Sequence, residues 1–362
     1  MGLNILTGLG FLLSCMAGYM NPSHIWEMGF LGLLFPILLT LTLSFLIFWL
    51  LADRRLSLIS LVALCVGYHS IYVFFAFHGG QQKVFKKLPG SLTILSYNVH
   101  YFDPYNDTPE KNHLTRHLIL DLIKSQHPDI ACFQEFFTSE DQKKFDFKQY
   151  ISDSLGLPYR FFNSDYNSGF DNSHSGAIIF SRFPIFRSKK IPLISDQPGE
   201  TAIYADLLIG KDTVRVYTMH LQSIYLNKKD LAGIEQVKQE EDTGFKAARS
   251  ILGKLKKAFI KRGQQATTIG REIAHSPYPV IVCGDFNDTP NSFAYSTIKG
   301  GLQDAFLHRG FGIGPTYISI SPTLRIDYIF VDRRFTVNHF LRIPKKLSDH
   351  YPIEANITLG TL

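Results

Sequence analysis

Polar side chains that could bind a metal ion or a phosphate follow apolar stretches in this 362-residue chain. Residues 280–283 form a short apolar run, typical of a buried strand, and Gly284 interrupts it directly before Asp285. Because alternate side chains of a strand share a face, we expect Asp285 and Asn287 to point the same way, with Phe286 in the core. Together they could hold a water, a metal ion or a phosphate oxygen. A simple strand-to-turn junction explains this stretch equally well, because Gly, Asp and Asn are common in turns.

The same pattern recurs elsewhere in the chain. Six apolar stretches each carry Asn, Asp, Glu or His at or near one end. The residues concerned are Asn98, Glu135, His220, Asp285, Asn287, Asp327, Asp349 and His350. A buried charge is costly unless it is paired or binds a metal, and one such residue is more often a structural polar group. Six stretches with the same feature favour a shared chemical site.

Residues 91–358 alternate predicted strands with predicted helices. The predicted strands are 92–99, 130–134, 176–181, 201–209, 214–220, 280–283, 316–320, 324–331, 335–343 and 351–358. The predicted helices are 110–126, 139–151 and a polar stretch over about 228–274, broken near Gly263, on which Arg262 faces solvent. Many strands with few helices indicate two packed sheets with helices outside them.

The first 80 residues differ in composition, because they contain no Lys, two Arg and two acidic residues, so the formal charge of +6 comes from the rest of the chain. Three transmembrane helices are predicted, at about 3–20, 28–51 and 56–77, and the last two exceed the ~20 residues needed to cross a bilayer. A signal peptide is the rival for the first, but its basic n-region is missing apart from the amino terminus. Residues 81–90 are a basic linker that could lie against anionic headgroups.

The orientation of the predicted spans rests on few charges. The loop with Arg54 and Arg55 favours a cytoplasmic location for itself and an extracytoplasmic one for the large domain. Lys83, Lys86 and Lys87 follow the third span and favour the reverse. The four cysteines lie in apolar runs without zinc-site spacing, so they indicate buried thiols and do not identify a compartment.

Six motifs, taken together and in order, resemble the endonuclease/exonuclease/phosphatase superfamily, which includes deoxyribonucleases, sphingomyelinases and inositol-polyphosphate phosphatases. The motifs are Ser96-Tyr97-Asn98-Val99, Gln134-Glu135, His220-Leu221, Gly284-Asp285-Phe286-Asn287, Arg325-Ile326-Asp327-Tyr328-Ile329 and Ser348-Asp349-His350. Each is weak alone, and the set is highly specific. The apolar amino-terminal region also resembles a membrane-anchored bacterial branch of this family.

The resemblance implies a four-layer α/β/β/α sandwich of two mixed sheets, and Mg²⁺- or Mn²⁺-assisted hydrolysis of a phosphoester. It implies Glu135 as the principal metal ligand, with Asn98 and Asp349 nearby. It also implies further roles near the phosphate. Asp285 would activate water, Asn287 would hold an oxygen, Asp327 would orient His350, and His220 would contact phosphate or protonate the leaving oxygen. His174 lies where family members often contact substrate, although a surface histidine is equally compatible with its position.

The sequence therefore predicts a membrane-anchored phosphoesterase in a bacterial inner membrane, with residues 91–362 as the catalytic domain. Its expected partners are the lipid bilayer and an anionic phosphoester, either nucleic acid or a lipid or inositol headgroup; no obligate protein partner is evident. The alternative is a non-catalytic membrane-tethered module that binds phosphorylated ligands. The substrate class is not determined by the fold.

Overall fold

The computed structural model describes residues 1–78, 87–102, 109–139, 147–167, 173–195, 199–225, 244–318 and 321–360. The chain forms two compact units. Unit 1 comprises Met1–Ser70, Gln222–Thr267 and Asn291–Thr297, and unit 2 comprises Ile71–Leu221, Thr268–Pro290 and Ile298–Leu362.

Unit 2 contains all the described strands. They are β1 (Ala76–Phe77), β2 (Leu92–Asn98), β3 (Ile130–Ser139), β4 (Tyr159–Asn167), β5 (Ser173–Ser181), β6 (Ile185–Ile191), β7 (Thr201–Ile209), β8 (Asp212–His220), β9 (Val280–Asp285), β10 (Gln303–Asp304), β11 (Phe311–Gly312), β12 (Asp327–Val331), β13 (Phe335–Arg342) and β14 (Ile353–Leu359). Sheet 1 has the order β13-β14-β2-β3-β5-β4, and sheet 2 has the order β10-β12-β9-β8-β7-β6. A separate ribbon pairs β1 with β11.

The two sheets pack face to face through apolar side chains, which come from every second residue of the strands. Ile94 and Ile179 of sheet 1 belong to the same buried cluster as Ile203 and Ile281 of sheet 2. The outer face of sheet 1 is covered by α5 (Pro109–Ser125) and α6 (Phe147–Leu155), through residues such as Ile119. The predicted sandwich of two mixed sheets with helices outside is confirmed.

Strand direction explains why the polar ends meet. Strand β2 runs parallel to β3, and β8 runs parallel to β9, so their carboxyl ends lie at one edge of each sheet. Strands β12 and β14 are antiparallel to their neighbours, and therefore their amino ends lie at that same edge. Asp327 begins β12, and its register partner is Asp285 at the end of β9. One edge of the sandwich thus collects polar residues that lie far apart in sequence.

Unit 1 is helical. It contains α1 (Gly2–Cys15), α2 (Glu27–Ala52), α3 (Arg54–Val66), the start of α4 (Tyr68–Phe74), most of α7 (Gly244–Ala274) and most of α8 (Phe293–Lys299). A further short helix, α9 (Ala305–Arg309), belongs to unit 2. Helices α1 and α3 are joined by a buried hydrogen bond of 2.7 Å from Ser60 Oγ to Asn4 Oδ1.

The helices of residues 1–77 differ from the predicted spans. Among the described residues, only α2 is by itself long and apolar enough to cross a membrane. The predicted first span is a shorter apolar helix over Gly2–Gly18, and the predicted third span is two helices bent by 63° at Gly67. A side chain at Gly67 would overlap the ring of Phe11, so close packing of α1 explains the glycine at this break. Residues 76 and 77 form β1.

Helix α7 corrects two expectations. The predicted break near Gly263 is absent, and the helix runs continuously from Gly244 to Ala274. A Cβ at Gly263 would overlap the carboxamide oxygen of Asn21 and contact Pro22, so this glycine permits close packing rather than ending the helix. Arg262 is buried, 1% exposed, and does not lie on a solvated face.

Two glycines of α7, Gly253 and Gly263, provide a matched test of this packing. Alanine normally stabilises a helix interior by about 0.5–1 kcal/mol relative to glycine. We expect Gly253→Ala to raise the melting temperature of the detergent-solubilised chain, because nothing lies within 4 Å of a Cβ at that position. Gly263→Ala is expected to lower it, because the methyl group must displace Asn21. Equal stabilisation by both substitutions would contradict the close contact.

Glu354 on β14 provides a test of buried charge. Burial raises the pKa of Glu354 to about 7, and Lys87 only partly opposes this. The folded state therefore binds more protons than the unfolded state between pH ~4.5 and ~7, and stability falls as pH rises through this range. We expect Glu354→Gln to stabilise the protein at pH 8 by roughly 3 kcal/mol. The gain in melting temperature should vanish below pH ~4.5, and a constant gain at all pH values would refute burial of the carboxylate as its cause.

Candidate active site

Side chains from both sheets meet at the polar edge of the sandwich. Asn98 of β2 donates from Nδ2 to Glu135 Oε1 at 3.1 Å and to Asp285 Oδ2 at 3.0 Å. His220 Nε2 lies 3.5 Å from Glu135 Oε1 and 3.7 Å from Asp285 Oδ2. His350 Nε2 approaches the same Asp285 oxygen at 3.5 Å. Two carboxylates, one amide and two imidazoles thus share a single small space.

A bulge in β3 directs Glu135 into this cluster. The pairing between β3 and β5 shifts register between Phe133 and Phe136, and Glu135 adopts a left-handed φ of 49°. A bulge lets two successive residues oppose one partner and redirects a side chain. The buried side chain of Gln134 donates a 2.8 Å hydrogen bond to Thr218 Oγ1 of sheet 2. Glu135 can therefore face the site while Gln134 bridges the two sheets.

A second left-handed turn follows β9. Gly284 has φ of 145°, and a Cβ there would overlap the carbonyl oxygen of Met219 on the parallel strand, so glycine is required. Asn287 has φ of 52°; its N–H donates to Asp285 Oδ1 at 2.8 Å and its Nδ2 donates to Leu221 O at 3.0 Å. Phe286 is fully buried, as predicted. Asn287 reaches the edge through this turn and not by strand alternation, because β9 ends at Asp285.

His350 is oriented by a buried carboxylate and by an adjacent loop. Its Nδ1 lies 2.9 Å from Asp327 Oδ2, and its ring packs edge-on against Tyr317 with centroids 5.0 Å apart. Thr316 Oγ1 accepts from the N–H of Asp327 at 3.1 Å, while the N–H of Tyr351 donates to the Thr316 carbonyl at 2.7 Å. The imidazole is therefore fixed, with Nε2 directed toward the cluster.

The pKa values of both histidines are raised. Burial opposes the charged form of His220, but the carboxylates of Glu135 and Asp285 outweigh it and raise its pKa. Burial also opposes protonation of His350, yet Asp327 and Asp285 raise its pKa well above the usual histidine value. A carbonyl can only accept, so His220 Nδ1, 2.8 Å from Gly199 O, carries a proton and leaves Nε2 facing the carboxylates. Both shifts favour the protonated, cationic form of the ring.

The remaining acid, Asp349, lies at the more accessible side of the site. Ser348 Oγ donates to the Asn98 carbonyl at 2.9 Å, which ties this loop to the end of β2. Asp349 Oδ1 is 3.9 Å from His100 Nδ1, and its side chain is 32% exposed. Glu135, whose side chain is 15% exposed, is also accessible, in contrast to Asp285 at 1%. Mg²⁺ prefers oxygen ligands and usually keeps several waters. Glu135 and Asp349 are therefore the more accessible oxygen donors of the site, and Asn98 contacts Glu135.

Among the described residues, one set of three His and carboxylate groups lies close enough together to hold a metal ion. One ligand atom from each of Asp285, Asp327 and His350 lies within 4.8 Å of the others. Asp327 and His350 are already paired at 2.9 Å, however, and all three residues are buried. A hard cation that retains water suits the more accessible oxygen set better.

His174 lies apart from the cluster. It is on β5, paired with Thr138 of β3 and Asn167 of β4, and its Nδ1 is 3.4 Å from Ser164 Oγ. Its proposed contact with substrate stays a prediction. The other sequence-predicted site residues all lie at or beside the polar edge.

Several neighbours of the site were not singled out from the sequence. They are Thr316, Tyr317, Gly199 and His100, together with the carbonyl of Leu221, a residue named from the sequence only as part of the His220-Leu221 motif. Gly199 and Leu221 act through backbone carbonyls, which no side-chain pattern reveals. His100 follows the Asn98 motif by two residues, and its N–H donates to Asn98 Oδ1 at 3.0 Å. Among these neighbours, His100 had a signal in the sequence, because it directly follows the motif Ser96-Tyr97-Asn98-Val99 that was assigned to the site.

Comparison with known proteins identifies the family of the strand-containing part of the chain. A family model described as the Endonuclease/Exonuclease/phosphatase family matches residues 95–350. A second model, described as a domain of unknown function (DUF8431), matches residues 1–74. The search of curated proteins finds no match.

Two solved structures share the fold. An endonuclease/exonuclease/phosphatase from Beutenbergia cavernae is 17% identical with a TM-score of 0.53, covering 76% of this chain and 72% of its own. The human Nocturnin catalytic domain with bound sulfate anion is 19% identical with a TM-score of 0.55, covering 77% of this chain and 98% of its own. Because the family model spans residues 95–350, more than half of the 362 residues, the chain belongs to the Endonuclease/Exonuclease/phosphatase family.

Proposed function

We propose that this protein is a membrane-anchored phosphoesterase that depends on a divalent cation, Mg²⁺ or Mn²⁺. One observation carries the proposal: two imidazoles with raised pKa values and an amide surround the carboxylates of Glu135 and Asp285. Cationic imidazoles beside oxygen ligands suit a phosphate with negative charge. Members of this family are phosphoester hydrolases, and the proposal assigns the parts of that chemistry to residues of this chain.

Asp285 is the proposed acceptor of a proton from the attacking water. Its Oδ1 accepts the backbone N–H of Asn287, while Oδ2 accepts from Asn98 Nδ2 at 3.0 Å and faces both histidines. These contacts fix the orientation of the carboxylate. A base held in this way is positioned for proton transfer before substrate binds.

His350 and His220 are the proposed contacts for phosphate oxygens. Asp327 holds His350 through Nδ1, so Nε2 can donate to an oxygen on which charge develops. His220 is held through Nδ1 by Gly199 O and presents Nε2 to the same space. Either imidazole could protonate the leaving oxygen, and the assignment of the acid between them stays open.

The cation is proposed to bind at Glu135, with Asn98 and Asp349 beside it. When bound, it would act as a Lewis acid and stabilise charge on the phosphoryl oxygens. Asn98 contacts Glu135 at 3.1 Å and Asp285 at 3.0 Å, and therefore couples the position of the ligand to that of the base.

Membrane anchoring is proposed from unit 1. Only 22% of the most apolar part of α2 is buried, and large apolar residues such as Ile37, Ile47 and Phe48 are exposed. A core helix of a soluble protein would bury this surface. Asn4 near the start of α1 donates from Nδ2 to Leu56 O near the start of α3 at 3.3 Å, so Met1 and the Arg54–Arg55 turn lie at one end of these helices. We propose the bacterial inner membrane, with this turn cytoplasmic and unit 2 extracytoplasmic.

The proposed substrate is a nucleic acid or a lipid or inositol headgroup, and hydrolysis by the full chain in detergent tests it. The assay offers DNA, phospholipid, sphingomyelin and inositol phosphate in parallel with Mg²⁺. Glu135→Gln, Asp285→Ala and His350→Ala are each expected to lower kcat by about 10²–10⁴-fold. Asp332→Asn, which removes a carboxylate paired with Arg334 just beyond the other end of β12, should leave kcat unchanged. Full activity in all three variants would overturn the assignment of the site.

Calorimetric titration with Mn²⁺ tests the cation site independently of substrate. We expect Glu135→Gln to weaken binding at least about tenfold, in line with the sensitivity of metal sites to ligand loss. Asp332→Asn is again the control, and circular dichroism should show both variants folded. A wild-type chain that neither binds Mn²⁺ nor turns over any substrate would favour the non-catalytic binding module.

A further inference from the structure

Helix α7 carries an unusual distribution of charge. Its part within unit 1, Gly244–Thr267, contains seven basic residues and no acidic residue. The basic residues are Lys246, Arg249, Lys254, Lys256, Lys257, Lys261 and Arg262. Arg262 is buried, whereas Arg249, Lys256 and Lys257 are exposed. A solvated helix usually mixes both signs along its exposed face, so this helix is suited to an anionic surface.

The later part of α7, from Phe259 to Thr267, packs on the ends of the apolar helices. The ring of Phe259 fills the space beside Gly29, where a Cβ would overlap it, and packs edge-on against Phe30 with centroids 5.1 Å apart. Asn21 Nδ2 donates to Thr267 Oγ1 at 3.2 Å. The partners of α7 in these contacts are Asn21, in the segment that leads into α2, and Gly29 and Phe30, in the first turn of α2. Helix α7 therefore lies at one end of the candidate membrane span.

The contact between α7 and the start of α2 contains residue types that are typical of a membrane–water interface. Lys256 Nζ lies 4.5 Å from the ring centroid of Trp26, immediately before α2 begins. Tryptophan is enriched at the level of lipid headgroups, where its polar and apolar parts are both satisfied. Leu252 is seven residues before Phe259, hence on the same side of α7, and is 52% exposed. An exposed leucine beside a tryptophan and cations fits the boundary between headgroups and acyl chains.

We propose that the exposed basic residues of α7, Arg249, Lys256 and Lys257, bind the headgroups of anionic phospholipids and so fix unit 1 at the membrane surface. The proposal rests on the membrane anchoring proposed above. Each basic side chain near an anionic bilayer contributes on the order of 1 kcal/mol. Nucleic acid is a less suitable partner, because Leu252 and Lys256 lie on the side of α7 that faces the start of the apolar helix α2.

Fluorescence of the full chain in vesicles tests this proposal. With Trp49→Phe in the background, Trp26 is the sole tryptophan, because the chain has two. Vesicles contain phosphatidylcholine plus phosphatidylglycerol, and one or the other lipid is brominated near the headgroup. We expect brominated phosphatidylglycerol to be enriched beside Trp26 about fivefold over brominated phosphatidylcholine, which corresponds to about 1 kcal/mol.

Two triple variants lose the same number of positive charges, so they separate an effect of the α7 residues from an effect of the net charge of the chain. Arg249→Gln, Lys256→Gln and Lys257→Gln together should reduce the preference to about one, and the ratio of the two lipids corrects for any change in Trp26 emission. Arg187→Gln, Lys189→Gln and Lys211→Gln, on exposed positions of unit 2, should leave it unchanged. Equal losses in both triples, or no preference in the wild type, would overturn the proposal.

Failure of the anchoring gives a different result. A protein that leaves the vesicles in an alkaline wash is not membrane-anchored, and both proposals fall. A protein that stays in the vesicles but shows equal quenching by both lipids contradicts only the lipid-binding surface. Duplex DNA is added in a further arm, and DNA binding that is lost in the α7 triple while quenching stays equal would assign the cations to nucleic acid.

Discussion

The arrangement of the site depends on placing several acidic groups within a few ångströms of one another. Glu135, Asp285 and Asp327 would repel if they were left alone in a buried site. Hydrogen-bond donors from both sheets offset this repulsion. Asn98 bridges Glu135 and Asp285, and His220 and His350 lie 3.5 to 3.7 Å from their carboxylates. The negative charge of these carboxylates makes the site suitable for a cation, and it raises the pKa of both imidazoles.

The backbone at this edge departs from regular strand geometry at the residues that matter. Glu135, Asn287 and His100 have φ values of 49°, 52° and 43°. Such left-handed conformations are uncommon outside glycine and persist when the surroundings enforce them. Here the bulge in β3, the turn after β9 and the turn after β2 bring side chains from strand ends to a common point. Left-handed backbone conformations thus coincide with the candidate site at the ends of three strands.

Unit 1 shows how small residues organise the helical part of the chain. Gly29 and Gly263 let aromatic and amide side chains approach the backbone of α2 and α7 closely. The contact between Asn4 and Ser60 satisfies polar groups within the apolar helices α1 and α3. Interfaces between helices in membranes commonly rely on small residues and interhelical hydrogen bonds of this kind. A helix whose exposed side is basic is thereby held next to apolar helices.

The sequence by itself predicted the sandwich of two sheets and the polar residues at strand ends, because burial periodicity and uncompensated polar groups are local signals. It also predicted α2, whose composition is uniformly apolar. Strands β4 and β6 were missed, because their exposed faces weaken the alternation. Only the tertiary structure decided the bend at Gly67, the continuity of α7 through Gly263 and the burial of Arg262. These depend on which atoms from distant segments occupy the space beside each residue, and that information has no counterpart in local sequence pattern.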